Sequence, residues 1–129
     1  MRKFFNQTLK FLSFFLIFFA IFNFRISFIS GNSMQPTLKN NSLIIVDQYL
    51  YKLFTIKKED ILIFRIKDEE VIKRIHGLPK ETIDTEEGKL TLKKDEIYVL
   101  GDNPKESIDS RMYGPLKINN IIGKIFLSF

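Results

Sequence analysis

The sequence predicts a mostly β, antiparallel body carried behind one N-terminal transmembrane helix, on three observations. The first 29 positions form a nearly uncharged apolar run. The remainder alternates short β-branched stretches with turn residues, and no part of it carries a convincing amphipathic helix. A length of 129 residues leaves room for one domain and little else.

Phe11 to Phe24 (FLSFFLIFFAIFNF) contains 14 uncharged residues, short for a membrane span. Lys10 and Arg25 flank it and can snorkel toward the interfaces. Phe4 to Ile29 gives 26 residues with only those two charges, enough to cross about 30 Å of hydrocarbon. The sequence therefore divides into residues 1–29, a short N-terminus and anchor, and residues 30–129, the β-rich body. A cleaved signal peptide shares the basic start and apolar middle, but no A-x-A-like exit follows, only Ser27-Phe28-Ile29-Ser30-Gly31-Asn32. Arg2, Lys3 and Lys10 against Arg25 favour a cytoplasmic N-terminus and an extracytoplasmic body, by the positive-inside tendency.

Past the anchor, Ser42 to Asp47 reads as a strand after an Asn40-Asn41 turn, and Tyr49 to Phe54 is ambiguous. Asp60 to Ile66 is a strand apolar on both faces, hence buried. Lys67 to Glu70 is a charged turn, and Glu70 to His76 a strand closed by Gly77-Leu78-Pro79. Thr82–Thr85 and Lys89–Leu92 flank Glu86-Glu87-Gly88 as a hairpin. Ile97–Leu100 is a further strand, Gly101–Gly114 a long irregular loop, and Ile118–Phe129 a final apolar strand with Gly123 inside it.

Charge excludes one class of partner. Of the net +5, Arg2, Lys3, Lys10 and Arg25 supply +4; the rest holds 16 basic against 15 acidic residues. The body is nearly neutral, so a nucleic-acid groove is not supported. With no cysteine, disulfides, thiolate zinc sites and cysteine nucleophiles are excluded. The sole histidine, His76, has no acidic neighbours at metal-ligand spacing and precedes a Gly-Leu-Pro turn, which leaves it solvated.

Two stretches could carry chemistry. In Gly31-Asn32-Ser33-Met34-Gln35-Pro36-Thr37-Leu38, Gly31 and Asn32 permit unusual backbone angles and Pro36 fixes φ, so Ser33 could stand on a rigid turn near the membrane. Such residues equally make an ordinary linker. A serine without a histidine partner needs another base, and a lysine serves only if desolvated. At the ordinary pKa of about 10.4, roughly one molecule in 2,500 is neutral at pH 7. Lys73, following Val71-Ile72 and two residues before Ile75, can face the core; most strand lysines instead face solvent. The second stretch, Gly101 to Arg111, places Ser107 near a possible Asp109–Arg111 clamp, in a composition that also suits a solvated loop.

Together these stretches resemble the type I signal peptidases, membrane-anchored serine-lysine proteases of family S26, in a short Gram-positive-like form. Ser33-Met34-Gln35-Pro36-Thr37-Leu38 looks like the nucleophile box S-M-x-P-T. Asp60-Ile61-Leu62-Ile63-Phe64 looks like the strand box after it. Lys73-Arg74-Ile75-His76-Gly77-Leu78-Pro79 resembles the lysine box K-R-x-x-G-x-P. Gly101-Asp102-Asn103 through Ser107, Asp109, Ser110 and Arg111 resembles G-D-N-x-x-x-S-x-D-S-R. The four occur in order, and with the anchor the likeness covers nearly the whole chain.

The resemblance implies the antiparallel β catalytic core also found in the self-cleaving SOS repressors. It implies Ser33 as nucleophile, Lys73 as general base, Ser107 orienting the ammonium, and Asp109 with Arg111 bracing the loop. The Ser33 N–H would serve the oxyanion, while Gly31 stands where some members place a second hydroxyl donor. Substrate would add as a strand beside Ile29 and Val71-Ile72, with Met34, Leu38, Ile44 and Ile72 lining pockets for small residues at −1 and −3. The implied substrates are signal-peptide-bearing preproteins, met at the lipid bilayer of the plasma membrane; no cofactor or metal is required. Two departures stand out: only 21 residues separate Pro79 from Gly101, too few for the second β-domain of larger members, and Glu59 replaces the usual glycine of the second box. Three other readings stay open or weigh less. SOS repressors are soluble and carry a DNA-binding domain, unlike this chain. Non-catalytic assembly factors of pili lose the serine or the lysine, both present here. A dedicated pilus or conjugation maturation peptidase is indistinguishable from the housekeeping enzyme at this level.

Overall fold

The computed structural model describes residues 2–129, and the side chains of all of these except residues 2, 3 and 20. The basic side chains of Arg2 and Lys3, used above for orientation, lie outside the described ones. The elements run α1 (Arg2–Asn23), β1 (Phe24–Phe28), β2 (Leu43–Asp47), a 3-10 turn (Leu50–Leu53), β3 (Ile61–Ile66), β4 (Glu69–Gly77), β5 (Thr82–Thr85), β6 (Gly88–Thr91), β7 (Glu96–Leu100), α2 (Ser110–Tyr113), β8 (Leu116–Lys117), a second 3-10 turn (Ile118–Asn120) and β9 (Ile121–Ser128).

The helix is apolar all round and has nothing packed against its Phe and Leu side chains; Phe11 is 75% exposed. Such a surface is stable only in lipid. Its apolar part, Phe4–Asn23, has 20 residues, which at 1.5 Å each matches the hydrocarbon thickness of about 30 Å. The apolar run read as one span thus splits. The helix stops at Asn23, and Phe24–Phe28 pair antiparallel with Leu43–Asp47. Local hydropathy cannot place this boundary, because β1 alternates half-buried and exposed apolar residues instead of changing composition.

The body is one seven-stranded antiparallel sheet, ordered β1-β2-β9-β3-β4-β7-β8, with the β5–β6 hairpin separate. β3 is buried along its centre, as its two-sided apolar run predicts, because β4 and β9 flank it. One apolar cluster joins Leu62, Phe64, Ile75, Ile97 and Val99 under Tyr51. The other joins Ile29, Met34, Leu38, Ile44, Val46 and Ile63. Gly123 lets β9 pass beneath β2: a Cβ there would lie 2.5 Å from Val46 Cγ1. The sheet does not close. β1 is an outer edge, and β4 pairs with β7 only from Arg74 onward, so Val71–Lys73 present an open edge toward it. Arg25 on β1 reaches Glu70 on β4 through two hydrogen bonds of 2.7 and 3.3 Å. The two free edges therefore face one another across a cleft of about 180 Å³.

Candidate active site

Ser33 stands at the cleft on the turn between β1 and β2. Gly31 takes φ +97°, a left-handed conformation that suits glycine. Gln35 N–H donates to Asn32 O at 3.1 Å and Leu38 N–H to Met34 O at 2.9 Å, closing one helix-like turn. This spacing sends Met34 and Leu38 into the apolar cluster, where they are 2% and 3% exposed. Two buried anchors thus fix the serine between them and the Gly-Asn bend. Asn103 holds the same turn from the far loop: its N–H donates to Ser33 O at 2.9 Å and its side chain to Asn32 O at 3.2 Å. Among the described residues no acceptor takes the Ser33 N–H, which is left available to a ligand.

Lys73 meets this turn from β4. Its Nζ donates to Ser33 Oγ at 2.9 Å and to Ile72 O at 3.1 Å. The residue is 4% exposed, so it faces inward as its place between Val71 and Ile75 allowed. Burial pushes its pKa below the ordinary lysine value, and the negative charge of Asp109 acts the other way. The result is an ammonium with few partners, close to a hydroxyl and easily discharged.

The loop after β7 supports both. Asp109 is fully buried and accepts from Gly101 N–H at 2.9 Å, from Ser107 Oγ at 2.7 Å and from Arg111 Nε and Nη2 at 2.9 and 2.6 Å. Burial alone would raise its pKa; the Arg111 guanidinium and the other donors outweigh this and bring it to about 2. The Asp109–Arg111 clamp suggested by the sequence is therefore present. Ser107 lies beside it, but its hydroxyl donates to Asp109 and not to the ammonium. Gly101 separates these groups: a Cβ there would fall 2.1 Å from Ser107 Oγ and 2.6 Å from Ser33 O. Arg74 and Asp102 pair through bonds of 2.9 and 2.7 Å, tying the lysine strand to the same loop.

Of the residues expected to touch substrate, Ile29, Met34, Ile44, Val71 and Ile72 line the cleft. Leu38 does not; four residues beyond Met34 in the turn, it packs in the cluster below. The cleft also takes in Ser27, Ile63, Arg25 and Glu70, which sequence reasoning did not single out. Ile63 lay within the second box, so its motif was the available signal. Arg25 and Glu70 are 45 residues apart, and no local pattern pairs them. Asn103 was visible only as a motif letter. Glu59, at the usual glycine, has φ +71° and so keeps the glycine-like turn with a side chain. No group of acidic or histidine side chains able to hold a metal occurs among the described residues.

The family profile described as signal peptidase, peptidase S26, matches residues 2–97 and 84–129. Signal peptidase I of Bacillus caldolyticus is 30% identical over 135 residues, covering 75% of this chain and 74% of that protein. Signal peptidase I V of Bacillus subtilis is 30% identical over 135 residues, covering 75% and 80%. Mitochondrial inner membrane protease subunit 2 of Saccharomyces cerevisiae is 32% identical over 139 residues, covering 95% and 78%. A buried lysine bonded to a serine on a membrane-anchored antiparallel sheet agrees with these likenesses, and the chain belongs to the S26 signal peptidase family of serine endopeptidases.

Proposed function

We propose that Ser33 and Lys73 form the catalytic dyad of a signal peptidase I that removes N-terminal signal peptides from exported preproteins. The observation that carries this reading is the 2.9 Å hydrogen bond between Lys73 Nζ and Ser33 Oγ, with the lysine buried. Neutral Lys73 takes the Ser33 proton as Oγ attacks the scissile carbonyl, and returns it to the leaving amine. The unpaired Ser33 N–H lies ready for the oxyanion, a contribution worth about 3 kcal/mol where such donors have been removed. Water then releases the acyl group, with Lys73 again as base. Asp109, Arg111 and Ser107 act through position, holding the loop on which Gly101 and Asn103 meet the nucleophile turn.

The preprotein enters as an extended strand between the free edges of β1 and β4. Ile29, Met34, Ile44 and Ile72 leave little room beside Ser33, which favours small residues at −1 and −3. Residues 2–23 form the bilayer anchor, residues 30–129 the extracytoplasmic catalytic domain, and the N-terminus is cytoplasmic in a plasma membrane. A second location is favoured by one observation: the yeast mitochondrial subunit aligns with 95% of this chain, the bacterial enzymes above with 75%. Cell fractionation distinguishes an organellar inner membrane from a plasma membrane.

The test is cleavage of a preprotein by the detergent-solubilised full chain. Wild type is expected to cut after a small residue, and Ser33→Ala and Lys73→Ala to lose essentially all activity. Cleavage by Lys73→Ala at the wild-type rate removes the lysine from the mechanism. A rate independent of pH from about 5 to 10 does the same.

A further inference from the structure

The segment between β2 and β3 is not used by the dyad, yet it exposes three large apolar side chains in six residues: Tyr49 is 56%, Leu53 77% and Phe54 72% exposed. Water is a poor environment for such a cluster. Its position says what covers it. Asn23, the last residue of the helix, is 1% exposed and fastens this segment to itself. Its Oδ1 accepts from Tyr49 N–H at 3.2 Å and Leu50 N–H at 3.0 Å, and its carbonyl accepts from Gln48 N–H at 3.0 Å. Asp47 Oδ1 accepts from the same two N–H groups at 3.1 and 2.8 Å, so the turn is held from both sides.

We propose that Tyr49–Phe54 is a second membrane contact, a foot that inserts Leu53 and Phe54 into the headgroup layer beside the exit of α1 and sets the height of the catalytic domain above the bilayer. This rests on α1 spanning the membrane. If the 20 residues to Asn23 span the hydrocarbon, groups bonded to Asn23 lie at its boundary, in an interfacial layer about 5–7 Å deep. The composition suits that layer. Lys52 Nζ lies 5.6 Å from the Tyr49 ring and 5.9 Å from the Tyr51 ring, and the chain continues to exposed Lys57 and Lys58. Aromatic rings and snorkelling lysines are the residues that settle at lipid headgroups. The inner side of the foot is fixed to the body, since Tyr51 is buried and its hydroxyl donates to Ile121 O at 3.1 Å. Rigidly held at both sides, the foot resists tilting of the body about the helix exit, which keeps the cleft at one level for a substrate arriving within the same bilayer.

The chain has no Trp, so one introduced Trp reports its own surroundings. The full chain carrying Phe54→Trp, Leu12→Trp on the helix, or Lys94→Trp beside the opposite sheet edge is reconstituted in phosphatidylcholine and phosphatidylglycerol vesicles. Phosphatidylcholine brominated on its acyl chains quenches from the lipid, and iodide from water. Expected is loss of about half the Phe54→Trp and Leu12→Trp emission to brominated lipid, with Lys94→Trp quenched by iodide alone. Asn23→Ala added to Phe54→Trp is expected to cut its lipid quenching about two-fold, leaving Leu12→Trp unchanged. If Leu12→Trp is quenched by lipid but Phe54→Trp only by iodide, the foot is refuted and the anchor stands. If neither quencher reaches Phe54→Trp, protein covers it and the foot is likewise refuted. If Leu12→Trp escapes lipid quenching, the anchor reading fails and takes the foot with it.

Discussion

Gly101→Ala tests whether the loop after β7 positions the dyad. The added Cβ would sit 2.1 Å from Ser107 Oγ, 2.5 Å from Ser107 Cβ and 2.6 Å from Ser33 O, against ordinary contacts of about 3.5–4 Å. Something must move by about 1 Å. Ser107 cannot turn away without losing its 2.7 Å bond to Asp109, and the Ser33 carbonyl cannot recede without stretching its 2.9 Å bond from Asn103. Overpacking of this kind costs about 1–3 kcal/mol of stability. A 1 Å misplacement of a reacting group costs about a hundredfold in rate. Gly123→Ala separates the two effects, because its Cβ would meet Val46 Cγ1 at 2.5 Å, away from the dyad. With kcat/KM for preprotein cleavage expressed per folded molecule, Gly101→Ala should fall about a hundredfold and Gly123→Ala stay near wild type, while both lower Tm. Equal losses of activity in the two variants would refute the positioning role of Gly101.

Lys73→Met should abolish cleavage and stabilise the chain by about 1–2 kcal/mol at pH 7, since it replaces a buried cation of few partners by an apolar side chain. Because burial depresses the folded-state pKa, the unfolded chain binds more protons between that value and 10.5, so wild-type stability rises with pH there; urea titrations should find a flatter profile for Lys73→Met. Asp109 contributes in the opposite range. With its pKa lowered from 3.8 to about 2, it adds about 2 kcal/mol that is present above pH 4 and lost as pH falls toward 2, and Asp109→Asn should remove that acid dependence. Glu59→Gly should raise stability by about 0.5–1 kcal/mol in thermal melts, as relief of the left-handed residue exceeds the entropy gained by the unfolded chain.

Much of this architecture is legible from the residues because its signals are local. β3 shows as an unbroken apolar run, the β5–β6 hairpin as alternation around Glu-Glu-Gly, and β4 as a strand ending at Gly-Leu-Pro. The end of α1 is not legible, since Asn23 acts through the backbone of residues 48–50, and nothing near Phe24 reveals that partner. Likewise Ser33 and Lys73 are 40 positions apart, and their contact follows only from the register that β3, β9 and β2 impose. The four boxes supply that long-range information as a family likeness, not as a pattern of hydropathy. Leu38 shows the limit from the other side. Its motif position suggested a pocket wall, but the one-turn periodicity from Met34 sends it into the core.

Arg111 shows how a serine–lysine pair tolerates a buried carboxylate nearby. Asp109 attracts the proton of Lys73, which works against a neutral base, and only neutralisation of Asp109 limits that pull. Arg111 supplies it through bonds to both carboxylate oxygens, with Gly101 and Ser107 donating to one of the same oxygens. Arg111→Leu leaves the aspartate charge to act on the lysine, the nearest remaining buried cation. The acidic limb of the kcat/KM profile should then move to higher pH, and well below the pKa each unit of that shift costs about tenfold in rate. A plateau at alkaline pH should still be reached, because the dyad itself is intact. A variant with a lower plateau but an unmoved limb would make Arg111 a structural brace alone. A shifted limb, with Asp109→Asn returning it toward lower pH, would show that the clamp sets the protonation of the base.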